Sequence, residues 1–285
     1  MKLEMILAAT DGSPLGTEAL RAAARTAAGA GAGLAAVTVA QDPWQWIESW
    51  EVEKYRFNLP DPIESVLAPR VRDRLEPGFR AVIGTPPTPH LVRLGVPGVE
   101  IARAAELVQA DLIVLGRGSE IGRTIEGTVR RAQMPCLVVP SGLQRFQRVL
   151  AAVDVRPSSA DVLDAALALV EAEGSDVLAF HVEPTLGAAE SGLPRHERLR
   201  HVDAVSSALH TAWERAPADP SAGVAACELI TRRGEPVSEI LKAVRDERID
   251  LLVVGCHRGE GGYPSQVIGS RLLRRAPCAV LTVPL

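Results

Sequence analysis

The chain has 285 residues, enough for about two domains that each bury a core of their own. Hydrophobic residues make up 47% and charged residues 23%, and the net charge of −4 leaves no basic field for nucleic acid or an anionic membrane. Cys136, Cys227, Cys256 and Cys278 form no CxxC and no metal-ligand spacing, so buried reduced thiols and a cytoplasmic location are expected. The apolar run before Asp11 is too short for a signal peptide, and no segment approaches a membrane span.

Met5–Thr10 is short and apolar and ends at Asp-Gly-Ser, which reads as a buried parallel strand. Ser13-Pro14 then fits an N-cap followed by proline at the first helical position. An Ala-rich helix runs to about Ala28, is stopped by Gly29–Gly33, and leads into a strand at Leu34–Val39. Residues 42–90 read as irregular, with helical character around Ile63–Arg74. Ile101, Ala104, Ala105 and Val108 mark a helix at the 3.6-residue period. Asp111–Leu115 and Leu137–Val139 complete the strands of the first half.

The chain then repeats itself. DLIVLG at Asp111 returns as DLLVVG at Asp250, 139 residues later, and Gly127–Val139 returns as Gly269–Leu281. A repeat this long means two copies of a whole domain, 1–143 and 144–285. In the second copy, strands are expected at Arg148–Val153, Asp176–Val182, Val224–Thr231, Leu251–Val254 and Ala279–Val283. Helices are expected at Pro157–Glu173, about Arg195–Arg215, and Pro236–Arg245. Both copies place Gly-x-Pro (Gly95–Pro97, Gly234–Pro236) where a strand gives way to a helix. The fold class is therefore α/β: two open, mostly parallel five-stranded sheets with helices on both faces.

In such sheets, ligands bind beyond the carboxyl ends of the strands where strand order reverses. Each half brings an acid there at the end of its first strand, Asp11 or Asp154. Each also brings a glycine-rich loop after its fourth strand, Gly116–Thr128 or Gly255–Ser270. Glycine loops that lead into a helix expose backbone N–H groups and a positive dipole end, which suits phosphate oxygens.

On these residues both halves resemble the universal stress protein domain, and the chain resembles a tandem member of that family. The resemblance covers nearly all of the chain except about residues 42–90. It implies ATP, with Mg²⁺ as a companion, in the crevice: the base and ribose near the strand-one acid and the end of strand two, the phosphates on the loop glycines and a Ser/Thr hydroxyl. Carried over to this sequence, the second half offers Asp154, Val182, Gly255, Gly259, Gly269 and Ser270. The first half offers Asp11, Val39, Gly116, Gly127 and Thr128. The family loop reads Gly, two residues, Gly, nine residues, Gly and Ser/Thr. The second half keeps the nine-residue spacing but separates Gly255 and Gly259 by three residues. The first half has Ser119 at the second glycine and a loop two residues shorter, so nucleotide binding is expected mainly in the second half. The resemblance also implies an internal pseudo-dimer formed through the last strands, Leu137–Val139 and Ala279–Val283. Whether two such chains associate further is left open.

Each feature also has a plainer reading. Asp11 would help cap the first helix, and the loop glycines would be turn residues only. Gly116, Gly118 and Gly122 mimic a dinucleotide fingerprint, with one residue too many and after a late strand. His181 reads as a core or crevice histidine, His257 and Arg258 as loop residues, and Arg130, Arg131, Arg274 and Arg275 as solvated helix residues. No nucleophile elbow or Ser-His-Asp set is visible, so no catalytic residue and no enzyme activity are expected. A nucleotidyltransferase would need a His-x-Gly-His that the sequence lacks. Residues 44–57, within a Trp-rich excursion at 42–62, hold five of the ten aromatics. They read either as a buried flap or as a protein-docking surface, and the latter would make the chain a nucleotide-free interaction or scaffold module.

Overall fold

The computed structural model describes residues 1–42, 64–143, 145–154, 159–173, 175–184, 228–256 and 268–285. Two compact units divide near residue 143, Leu3–Leu143 and Gln144–Leu285. Gly259, His257, Arg258, the Trp-rich segment and the helix expected over residues 195–215 lie outside the described residues.

The first unit runs β1 (Met5–Ala9), α1 (Pro14–Ala30), β2 (Gly33–Ala40), α2 (Glu64–Ile83), β3 (His90–Leu94), α3 (Pro97–Leu107), β4 (Leu112–Arg117), α4 (Arg123–Arg131) and β5 (Cys136–Pro140). Its strands lie in the order β3-β2-β1-β4-β5, and every pairing is parallel. Helices cover both faces, so Ile6, Leu7, Leu112, Ile113 and Leu137 are fully buried. The local signals act as their chemistry requires. Ser13 caps α1 through its hydroxyl, Pro14 opens the helix, and Gly31 closes it in the left-handed conformation at φ 65°. The buried face of α1 carries Ala19, Ala22, Ala23 and Ala27, small side chains that let the helix lie close to the sheet.

Two elements differ from the sequence reading. α2 extends to Ile83 instead of fading near Arg74, although Pro69 and Pro77 lie inside it. Each proline removes a helical N–H and crowds the preceding turn. The helix persists because it buries Leu67, Val71 and Phe79, at about 1.5–3 kcal/mol for each large apolar side chain. β3, to which the sequence reading assigned no residues, occupies His90–Leu94 beside β2.

The second unit runs β6 (Arg148–Val153), α5 (Ser159–Glu173), β7 (Asp176–Pro184), β8 (Glu228–Gly234), α6 (Pro236–Asp246), β9 (Leu251–Cys256), α7 (Ile268–Arg275) and β10 (Ala279–Pro284). Its order, β8-β7-β6-β9-β10, repeats that of the first unit, again with parallel pairings. The repeated aspartates explain part of this agreement. Asp111 Oδ2 accepts the N–H groups of Glu4 and Met5 at 2.7 and 2.9 Å, while its own N–H donates to the Met5 carbonyl. Asp250 Oδ2 does the same for Gln147 and Arg148 at 3.0 and 3.2 Å. Each acid therefore clamps the start of the first strand of its own sheet. Gly95 and Gly234 turn the chain out of β3 and β8 at φ 137° and 157°, and Pro97 and Pro236 begin the following helices.

Candidate functional site

Strand order reverses between β1 and β4. α1 carries the chain from β1 to β2 on one side, and α3 carries it from β3 to β4 on the other, so the carboxyl ends of β1 and β4 open a crevice. In the first unit this is a cleft of about 450 Å³, within the range of ligand pockets. Val37 and Val39 of β2, Leu115 of β4, Ile101 of α3 and Ile125 of α4 line it with apolar surface. Thr10, Asp11, Arg117, Ser119, Glu120 and Thr124 supply polar groups.

Asp11 is exposed, and its Oδ1 accepts the Ser13 N–H at 2.9 Å. Ser13 Oγ in turn accepts the Gly16 N–H at 3.1 Å. Ser13 is thus the cap of α1, and Asp11 shapes the turn that delivers it. Gly16 is part of this nest, since a Cβ there would stand 2.7 Å from both Asp11 Oδ1 and Thr10 Oγ1. Gly116 answers a similar demand, because any Cβ would overlap the Leu15 carbonyl where α1 crosses β4. At the far wall α4 begins with Gly122 as N-cap and no side chain bonded to the cap. Its first-turn N–H groups and dipole lie beside Gly122, Thr124 and Ile125 on the cleft, near the buried side chain of Arg117.

Of the residues expected in this half, Asp11, Val39 and Gly116 meet on the cleft. Gly127 and Thr128 sit further along α4 and are not among its lining. A Cβ on Gly98 would stand 2.7 Å from the Gly127 backbone, so these two glycines let α3 and α4 touch. The Thr128 hydroxyl is buried and donates to the Thr124 carbonyl at 2.8 Å, within its own helix.

The second unit builds the corresponding corner with different groups. Ser159 stands where the first unit has Gly16, and its hydroxyl lies 2.8 Å from the Asp154 N and O and 2.9 Å from Oδ1. Asp154 is therefore held by the first turn of α5. Val182 is buried on β7, and Gly255 lies at the end of β9, where a Cβ would run into Leu285. A Cβ on Gly269 would come within 2.5 Å of the Gly255 carbonyl and 2.8 Å of Cys256 Sγ, so α7 docks directly on the end of β9. Ser270 beside it is buried. Cys256 takes the place of Arg117, and burial pushes its thiol up to about 12, which keeps it protonated. Val237 takes the place of Gly98, and with that side chain α6 has no matching glycine contact to offer α7. The difference between the two glycine loops is thus accompanied by different docking of the helix that follows each.

Sequence reasoning passed over Thr10, Gly16, Thr38 and Arg117, and weighed His90 only for a catalytic motif that it does not form. For Gly16 a signal existed in the repeat, since its counterpart is Ser159. For Arg117 the counterpart, Cys256, gave no hint.

The model of the universal stress protein family matches residues 3–140 and again 145–284. The chain belongs to the universal stress protein family, with two tandem domains. The universal stress protein YxiE of Bacillus subtilis (strain 168) is 30% identical over 151 residues, 48% of this chain and 99% of its own. Among solved structures, a universal stress protein from Archaeoglobus fulgidus DSM 4304 has a TM-score of 0.61 at 19% identity, covering 100% of this chain and 99% of its own. A functionally unknown protein from Pseudomonas aeruginosa PAO1 has a TM-score of 0.65 at 15% identity, covering 99% and 92%. At these identities the structural likeness shows the fold, and it extends through both universal stress protein domains. No helix among the described residues is long and apolar enough to cross a membrane.

Proposed function

We propose that this tandem universal stress protein is a stress-response regulator that binds an adenine nucleotide without a catalytic constellation of its own. The observation that carries the reading is the convergence of Asp11, Val39 and Gly116 on one cleft whose far wall is a helix start with no side-chain cap. Val37, Val39, Ile101 and Leu115 would face the base, and Asp11 would take a polar edge of the base or ribose. Backbone N–H groups around Gly118 and Gly122, the Thr124 hydroxyl and Arg117 suit phosphate, with the dipole of α4 behind them. Mg²⁺ would arrive with the nucleotide, since the described residues offer no cluster of metal-ligating side chains.

The sequence spacing favours the second domain, and the packing geometry tempers that preference. Gly269 is required by the Gly255 carbonyl whatever the ligand, as Gly116 is by the Leu15 carbonyl, and each strand-one acid already accepts a bond, Asp154 from the Ser159 hydroxyl and Asp11 from the Ser13 N–H. Among the described residues the first-domain cleft gathers the fuller lining, and Gly269 with Ser270 carries the case for the second. The test is to denature the purified chain, assay the supernatant for adenine nucleotide, and titrate the nucleotide-free protein calorimetrically with ATP and Mg²⁺. Loss of heat in Asp11→Ala with heat retained in Ser270→Ala assigns binding to the first domain, and the converse assigns it to the second. No released nucleotide and no heat at millimolar ATP would sink the proposal and leave the domains as an interaction module.

A further inference from the structure

The carbonyl that immediately precedes the strand-one acid is held by a side chain in both domains, by different residues. In the first domain Thr38 Oγ1 donates to the Thr10 carbonyl at 2.8 Å, and His90 Nε2 lies 2.8 Å from the same Thr38 oxygen. A hydroxyl has one proton, and Thr38 commits its own to Thr10. His90 must therefore bring the proton on Nε2, and the bond runs from imidazole to threonine to backbone. In the second domain His181 Nδ1 lies 2.9 Å from the Val153 carbonyl, which can only accept, so the ring donates directly from Nδ1.

The strand registers make these positions equivalent. Ile6 pairs with Leu34 and Val149 with Val177, which aligns Thr38 with His181 and Thr10 with Val153. Ala36 pairs with His90 and Ala179 with Leu229, which aligns His90 with Leu229. The imidazole has moved one strand across: threonine and histidine on β2 and β3 in one domain, histidine and leucine on β7 and β8 in the other. Thr38 is fully buried and His181 nearly so, and Thr10 lines the first-domain cleft. Core packing alone would be served by valine and leucine at these positions. What the two domains share is a side-chain hydrogen bond to one particular carbonyl, given by the His90-backed Thr38 hydroxyl in one and by the His181 ring in the other.

We infer that Thr38 with His90, and His181 alone, are positioning residues that fix the carboxyl end of strand one and so aim Asp11 or Asp154 at a bound ligand. The inference rests on the proposed nucleotide reading for its ligand, but the positioning itself can be read without one. In the first domain the reporter is the Ser13 amide, which donates to Asp11 Oδ1 and exchanges faster with solvent if the acid is released.

The experiment uses the full chain. Nitrogen-15 NMR of the imidazoles is expected to show the proton on Nε2 of His90 and on Nδ1 of His181. Thr38→Val is expected to weaken ATP binding about five- to tenfold, the effect of one lost positioning bond, and to speed Ser13 exchange. Thr38→Ser, which keeps the hydroxyl, should restore both. The double variant Thr38→His with His90→Leu transplants the second-domain arrangement and should also restore both. A folded Thr38→Val with wild-type affinity and wild-type Ser13 exchange overturns the inference. So do the opposite tautomers, or a folded double variant no better than Thr38→Val. If wild-type protein takes up no ATP, the nucleotide reading fails by itself, and Ser13 exchange across the same variants decides the positioning. If Thr38→Val does not fold, Thr38→Ser and the double variant are compared with His90→Leu alone, which should show the defect that they lack.

Discussion

Acidification should destabilise the first domain through His90. Burial is the main cause that lowers its pKa from 6.5 to about 4; the nearby Arg72 guanidinium adds to the effect and Glu76 opposes it. The neutral ring is also the one that the Thr38 bond describes, with its proton on Nε2. Between pH 6.5 and 4 the unfolded chain takes up a proton that the folded domain refuses, so stability falls as pH drops through that window and levels off below it. At about 1.4 kcal/mol per unit the full displacement amounts to roughly 3 kcal/mol, and the partial exposure of the ring brings the expected loss nearer to about 2 kcal/mol. Urea unfolding followed by the methyl signals of Ile6 and Leu115 measures the first domain from pH 7 to pH 4. His90→Leu, which copies Leu229, should be less stable than wild type at pH 7 and should lose less stability on acidification. Arg72→Gln should raise the His90 pKa. An imidazole that titrates near 6.5, or parallel stability curves for wild type and His90→Leu, would refute the reasoning.

The same geometry makes three further claims. Gly116→Ala puts a methyl group into the Leu15 carbonyl and should cost at least about 2 kcal/mol in thermal or urea unfolding, whereas Gly118→Ala, 3.6 Å from the Leu15 side chain, should stay within about 0.5 kcal/mol of wild type. Asp111→Ala and Asp250→Ala each leave two strand-one N–H groups without their acceptor, an expected loss of about 1–3 kcal/mol in the affected domain and little in the other, read from domain-resolved NMR signals. Cys256 should resist iodoacetamide at pH 7.5 in the native chain and react readily in urea, as peptide mapping would show, because its thiol is pushed up to about 12.

Much of the scaffold was legible because it depends on local chemistry that repeats. A short apolar run ending in Asp-Gly-Ser-Pro can bury a strand, stop it and start a helix, and Ser13, Pro14 and Gly31 do this at positions set by neighbours in sequence. Gly-x-Pro likewise announces the exit from β3 and β8. α2 was less legible because Pro69 and Pro77 argue against a helix locally, and only the burial of Leu67, Val71 and Phe79 outweighs them. The site was harder to read. Asp11 and Gly116 were recognisable from the repeat and Val39 from the family resemblance, but Thr38 and His90 are 52 residues apart and carry no shared pattern until β2 and β3 pair.

By itself, the sequence determined that this universal stress protein is a duplicated α/β domain with an acid at the end of each first strand, because periodicity, caps and the repeat are properties of neighbouring residues. Only the tertiary structure decided what each glycine is for. Gly127 meets Gly98 between two helices, Gly269 meets the Gly255 carbonyl at a strand end, and Gly116 clears the Leu15 carbonyl. A missing Cβ looks the same in any sequence, and its purpose is set by whichever backbone comes close enough to need the space.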